Sequence, residues 1–129
     1  MAETVTLLSR ARVVCASCFV ADTMWTRLRG LMGRRRLASG EGLLLQPSGS
    51  VHTCFMRFAI DVVFLDRELA VLAISPAVRP WRVRARRGAR AVLELPAGEA
   101  ERLGLAAGDR LTVKRPAINE QKEKVYALA

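Results

Sequence analysis

Four side chains with soft donor atoms come first. Cys15 and Cys18 form a Cys-x-x-Cys pair, and His52 and Cys54 form a His-x-Cys pair. Together they offer the four nitrogen and sulfur ligands of a structural zinc site. The spacing of the first pair suits half of such a site. The second pair is shorter than a usual metal knuckle, and the residues around it lack the glycines that let a knuckle turn. Two further chemistries use the same residues. Cys15 and Cys18 alone match a thiol redox pair, which is active where a helix N-terminus lowers a thiol pKa; here Phe19 and Val20 follow in what reads as a strand. Cys54, His52 and Asp61 have the types of a nucleophile, a base and an orienting acid, and positions i and i+2 on a strand lie roughly 6 to 7 Å apart. No nucleophile elbow or oxyanion loop accompanies them, and Asp61 is expected to bond backbone amides at a turn or to pair with Arg57. The expectation is inert buried thiols, the commonest state of free cysteine. Zinc is the minor alternative, no other cofactor is expected, and no catalytic residue is assigned.

The second constellation is basic. Arg82, Arg84 and Arg86 alternate with Val83 and Ala85, with Trp81 and Arg79 before them and Arg87 and Arg90 after. An arginine row ending in an aromatic ring suits phosphates and one stacked base. Its plainer role is a solvated strand face that keeps a sheet edge from pairing with other chains. The whole chain carries a net charge of +9, and 18 of its 21 basic residues are arginine. Such a charge favours anionic partners: nucleic acid, acidic lipid surfaces or acidic proteins.

These side chains need elements to position them. A length of 129 residues fits one domain, and 51% hydrophobic content supplies one core. No apolar run approaches the roughly 20 residues of a membrane helix. The start, MAETVTLLSRARVV, lacks the pattern of a signal peptide, so a cytoplasmic location is expected. Ile60 to Leu65 is a continuous β-branched and aromatic run, the mark of a strand buried on both faces. Before it, alternation over residues 51 to 58 reads as another strand, with His52, Cys54, Met56 and Phe58 on one face. Thr4 to Leu8 and Arg12 to Val14 read as paired strands, Leu43 to Leu45 as a buried one, and Leu69 to Ile74, Ala91 to Leu95 and Arg110 to Lys114 as others. Asp22 or Thr23 caps a helix running to Met32, stopped by Gly33, with the run Arg34 to Arg36 complementing its dipole. Glu99 to Leu103 is a second, shorter helix ended by Gly104. Pro76 and Pro80 bracket a loop or edge segment, and Glu94 is expected to pair with one of the arginines.

The ordered landmarks Gly30-Leu31-Met32, Gly42-Leu43-Leu44-Leu45, Phe55-Met56, Ile60 to Asp66, Val92-Leu93-Glu94-Leu95 with Ala97-Gly98, Leu103-Gly104 and Gly108-Asp109 resemble a bacterial and archaeal family, domain of unknown function 192. The resemblance spans about residues 10 to 114. It implies a mainly β domain, a barrel or sandwich with short helices, and no established catalytic residues.

The reading as a whole is a small single-domain β-barrel or sandwich over residues 1–115, with a flexible tail over 116–129. Its expected core includes Leu28, Leu31, Leu44, Phe55, Val62, Phe64, Leu72, Leu93, Leu95, Leu103 and Leu111. The expected function is a non-enzymatic binding or accessory domain whose basic surface around Trp81 to Arg90 meets an anionic macromolecule or acidic protein. The alternative is a metal- or thiol-dependent protein centred on Cys15, Cys18, His52 and Cys54.

Overall fold

The chain opens with a hairpin. In the computed structural model, which describes residues 3–115 without the side chains of residues 3, 24, 25 and 28, β1 (Glu3–Ser9) pairs antiparallel with β2 (Arg12–Ala21). Arg10 and Ala11 between them have φ of 51° and 64°, the mirror-image turn whose twist matches that of the strands. β3 (Glu41–Leu45) then lies parallel to β2. A parallel neighbour cannot be reached by a tight turn, so residues 22–40 cross over one face of the sheet. This crossover holds α1 (Met24–Arg29), capped reciprocally by Thr23 and Thr26 and ended by Gly30 at φ 50°.

The remaining elements are β4 (Ser50–His52), β5 (Ile60–Leu65), β6 (Val71–Val78), β7 (Val83–Ala85), β8 (Ala91–Pro96), α2 (Glu99–Leu103) and β9 (Leu111–Lys114). Seven strands form one sheet in the order β6-β5-β8-β3-β2-β1-β9, and β4 with β7 forms a separate ribbon. The large sheet curls until its two edges touch. Ala70 bridges Arg110, and the Leu111 amide donates to the Leu69 carbonyl at 2.9 Å. The domain is thus mainly β, a curled half-barrel.

Period-two alternation divides the core in two. Leu44, Val63, Leu65, Leu93 and Leu95 point into the barrel with Val5, Leu7, Leu103 and Leu111. Leu43, Leu45, Val62, Phe64 and Val92 point outward, where Leu31, Val51, Met56 and Val78 cover them. Cys15 and Cys18 are three apart yet both face inward. Val5 pairs with Cys18 and Leu7 with Cys15, so β2 carries one extra residue there, a bulge. Gly42 lies against this bulge, where a Cβ would meet Cys15 Sγ at 2.8 Å and the Glu94 carbonyl at 2.9 Å.

Asp61 ties the inner layer to α2. Its Oδ2 accepts from the Gly98 and Ala100 amides at 3.0 and 2.9 Å, and its Oδ1 from the Ala77 amide at 2.9 Å. It replaces the side-chain cap that Gly98 cannot provide. This is the backbone-amide role expected for Asp61.

The buried strand at Val62 to Leu65 and the second helix stand where the sequence places them, and Pro76 sits in β6, an edge strand. Three expectations are corrected. The first helix stops at Arg29, because Gly30 turns the chain, and Leu31 is buried beyond its end. The arginine run 34 to 36 therefore lies past the last turn, where Arg34 packs over the Phe19 ring and pairs with Glu41. The strand expected over residues 51 to 58 ends at His52, and Phe55 is 60% exposed rather than in the core. Of the other expected core residues, Leu72 is partly buried and Leu28 lies outside the described side chains. The tail from residue 116 lies outside the described residues. Among the described residues, no helix is long and apolar enough to cross a membrane.

Candidate functional site

The sheet separates the four soft donors. Cys15 and Cys18 are buried inside the barrel, with Cys15 Sγ 3.6 Å from the Gly40 carbonyl. A hydrogen bond from Cys15, then burial, pushes the Cys18 thiol above its ordinary value, the opposite of what a redox pair needs. His52 and Cys54 belong to the outer layer, where the Cys54 amide donates to His52 Nδ1 at 3.2 Å. Among the described residues, no group of three or more His, Cys, Asp or Glu is placed to hold a metal. The four-ligand metal reading is therefore not assembled. Neither is the hydrolytic one, since Asp61 is committed to three backbone amides on the far face.

The basic stretch is assembled differently from a flat row. Only residues 83 to 85 are strand, and their pairing sets Arg84 opposite buried Val51. Arg84 is consequently half-buried, while Val83, the strand's apolar member, is 66% exposed. Arg79, Arg82, Arg86 and Arg87 are exposed around the ribbon. Arg90 faces a different hollow, shared with Asp22, Gln46 and Asp66. Among the described residues, none of these arginines pairs with a carboxylate.

Beside the ribbon lies a feature that the alternation of residues 51 to 58 concealed. The Phe55 and Trp81 rings sit 4.6 Å apart, tilted by 59°, with Trp81 58% exposed. Both residues have φ of 64°, a conformation non-glycine residues rarely hold. Thr53 fixes it. Its hydroxyl donates to the Arg79 carbonyl at 2.7 Å and accepts from the Arg82 amide at 2.8 Å. Its carbonyl receives the Trp81 amide at 3.0 Å. One fully buried threonine thus locks two loops together and holds two rings in water.

Between the ribbon and the crossover opens a cavity of about 400 Å³. Leu31, Leu45, Val51 and Met56 supply apolar walls, and Ser48, Ser50 and His52 supply polar groups. Arg27 and Arg29 stand at its more exposed side, with Arg27 anchored on the Asp22 carbonyl at 2.8 Å. Glu94 lines its floor. Alternation on β8 points Glu94 outward between Leu43 and Val62 of the flanking strands, and the crossover then roofs it. It is 2% exposed, and its Oε2 has no hydrogen-bond partner among the described residues. Burial pushes its carboxyl up to about 8, so it is mostly protonated at neutral pH. The expected pairing of Glu94 with an arginine is overturned. The available sequence signal was one acid inside the apolar run Ala91 to Leu95; nothing local reported its burial.

A curled, mainly β domain with an aromatic platform and a roofed cavity is the class that fold and site define. Residues 6–113 match the family domain of unknown function 192, described as uncharacterized ACR, and the chain belongs to it. It is similar to a UPF0127 protein of Pyrococcus furiosus, 37% identical over 99 residues, covering 74% of this chain and 84% of that one. It is also similar to a UPF0127 protein of Thermococcus sibiricus, 34% identical over 97 residues, covering 71% of this chain but only 62% of the relative's length. Among solved structures, a protein of Sinorhizobium meliloti described as a "putative transcription regulator" matches with a TM-score of 0.77 at 26% identity, covering 88% and 94% of the two chains. A protein of unknown function from Novosphingobium aromaticivorans matches with a TM-score of 0.75 at 24% identity, covering 86% and 84%.

Proposed function

We propose that this protein is a non-enzymatic binding domain that takes single-stranded nucleic acid on its β4–β7 ribbon. The exposed Phe55–Trp81 pair carries the reading. Three of the five large apolar side chains exposed among the described residues, Phe55, Trp81 and Val83, belong to this one region. Holding two rings in water on left-handed backbone costs stability, and Arg79 and Arg82, which pair with no carboxylate among the described residues, flank them. A ring face accepts any base, and neighbouring guanidinium groups take the backbone phosphates. The net charge of +9 draws an anionic strand in.

Fluorescence anisotropy with a labelled oligouridine tests this. Affinity should fall steeply with salt as counterions are released. Trp81→Ala should weaken it by roughly 5- to 150-fold, the worth of one base stack, while leaving the thermal midpoint nearly unchanged. Equal binding by Trp81→Ala removes the platform's role. Tighter binding to polyglutamate than to oligouridine makes an acidic protein the partner instead.

A further inference from the structure

A second site, over Glu94, lies beside the ribbon and shares Val83 with the platform's surroundings. We infer that the cavity over Glu94 binds a small organic acid. Its anionic group lies toward Arg27 and Arg29, its short apolar body against Leu31, Leu45, Val51 and Met56, and an uncharged hydroxyl or carbonyl oxygen meets the Glu94 carboxyl.

Three observations converge. The first is the carboxyl itself. The large majority of buried side-chain polar atoms in native proteins are hydrogen-bonded; Glu94 lines the cavity, and its buried Oε2 has no such partner among the described residues. A ligand oxygen would supply the missing bond. The second is the volume. A cavity of about 400 Å³ falls within the range of small-molecule sites, roughly 300 to 1,000 Å³. Its lining is also of the expected kind, apolar walls with a few polar groups.

The third is the distribution of charge, which selects the ligand class. Arg27 and Arg29 line the exposed side, on a chain of net charge +9, so a cation meets repulsion on entry. Among the described residues, a metal ion finds no set of three His, Cys, Asp or Glu donors. An anionic group set against Glu94 would have to be buried on its low-dielectric floor, which is costly. The anionic group therefore belongs at the arginines. The floor suits a neutral oxygen, since a protonated carboxyl donates one hydrogen bond and accepts others.

Hexanoate, its ω-hydroxy derivative and the matching six-carbon diol are the probes, each titrated into the full chain and followed by side-chain and amide NMR. The ω-hydroxy acid should shift the Val51 and Met56 methyl signals and bind roughly tenfold more tightly than hexanoate, the worth of about one buried hydrogen bond. Glu94→Leu, which replaces a buried carboxyl by an apolar side chain and should fold, makes the two acids bind alike. Substituting Arg27 and Arg29 by Ala brings the ω-hydroxy acid down to the diol. Oligouridine should shift Trp81 rather than Met56, so failure at either site is recognised separately. The inference is overturned if millimolar concentrations of all three probes leave Val51 and Met56 unmoved. It is equally overturned if the preference for the hydroxyl survives Glu94→Leu.

Discussion

Replacing Glu94 by Gln should abolish a falling limb in the pH profile of stability. The folded carboxyl titrates at about 8 and the ordinary one at 4.5. Between these values the folded state holds a proton that the unfolded state has released. The slope of unfolding free energy with pH has the sign of unfolded minus folded protons bound, which is negative here. Stability therefore decreases as pH rises through this window. Below about pH 4 both states are protonated and there is no penalty. At roughly 1.4 kcal/mol per pH unit per proton, the loss reaches about 3 kcal/mol by neutral pH and about 5 kcal/mol above pH 8. That is a large share of the roughly 5 to 15 kcal/mol typical of a domain. Gln closely matches the protonated acid in shape and hydrogen-bonding groups, so the variant should equal the natural protein near pH 4 and exceed it increasingly above. Urea unfolding at pH steps from about 4 to 9, followed by far-ultraviolet circular dichroism, measures the difference between the two profiles. Other titrating groups cancel in that difference. Parallel profiles would refute the reasoning, because they would mean that Glu94 is solvated or partnered when folded.

Other expectations follow from single contacts. Asp61→Ala leaves three backbone amides without their acceptor and should cost about 3 to 5 kcal/mol by denaturant titration, more than most point substitutions. Gly42→Ala forces a methyl group against Cys15 Sγ and the Glu94 carbonyl, for a loss of about 1 to 3 kcal/mol in the same assay. Thiol titration of the native protein with a disulfide reagent at neutral pH should find Cys54 alone reactive, with Cys15 and Cys18 appearing only in denaturant; fast reaction of three thiols would contradict their burial. Thr53→Val keeps the shape but removes the hydroxyl that bonds Arg79 and Arg82. It should lower stability by about 1 to 3 kcal/mol and weaken oligouridine binding together with it.

What the sequence disclosed and what it hid follows from the range of the forces involved. Ile60 to Leu65 was legible as interior strand because both faces are apolar, and no partner needs to be known to see that. The second helix was legible from Gly98, Gly104 and the acids of its first turn. The residues from Thr53 to Phe58 were not, because alternation describes a free strand. The Thr53 hydroxyl, bonded across to Arg79 and Arg82, instead turns the chain and sends Phe55 into solvent. Arg84 looked like the middle of an exposed row until its pairing with Val51 turned it inward. The fate of Glu94 was the most remote. A lone acid in a strand is ordinarily at the surface, and its burial depends on residues 22–40, some sixty positions earlier in the chain. The two cysteines of β2 shared a face only because of a bulge that no local spacing announces.

The single parallel pairing, β2 beside β3, has one more consequence. Every other ladder in the main sheet is antiparallel. The long detour that this pairing imposes is also what shelters the outer wall. The detour itself, residues 22–40, contributes no strand to the sheet. A cousin of this chain with a different span between its second and third strands would keep the same barrel but present a differently shaped hollow above its eighth strand. Variation in binding within such a lineage would then be written into the detour, while the wall behind it stayed constant.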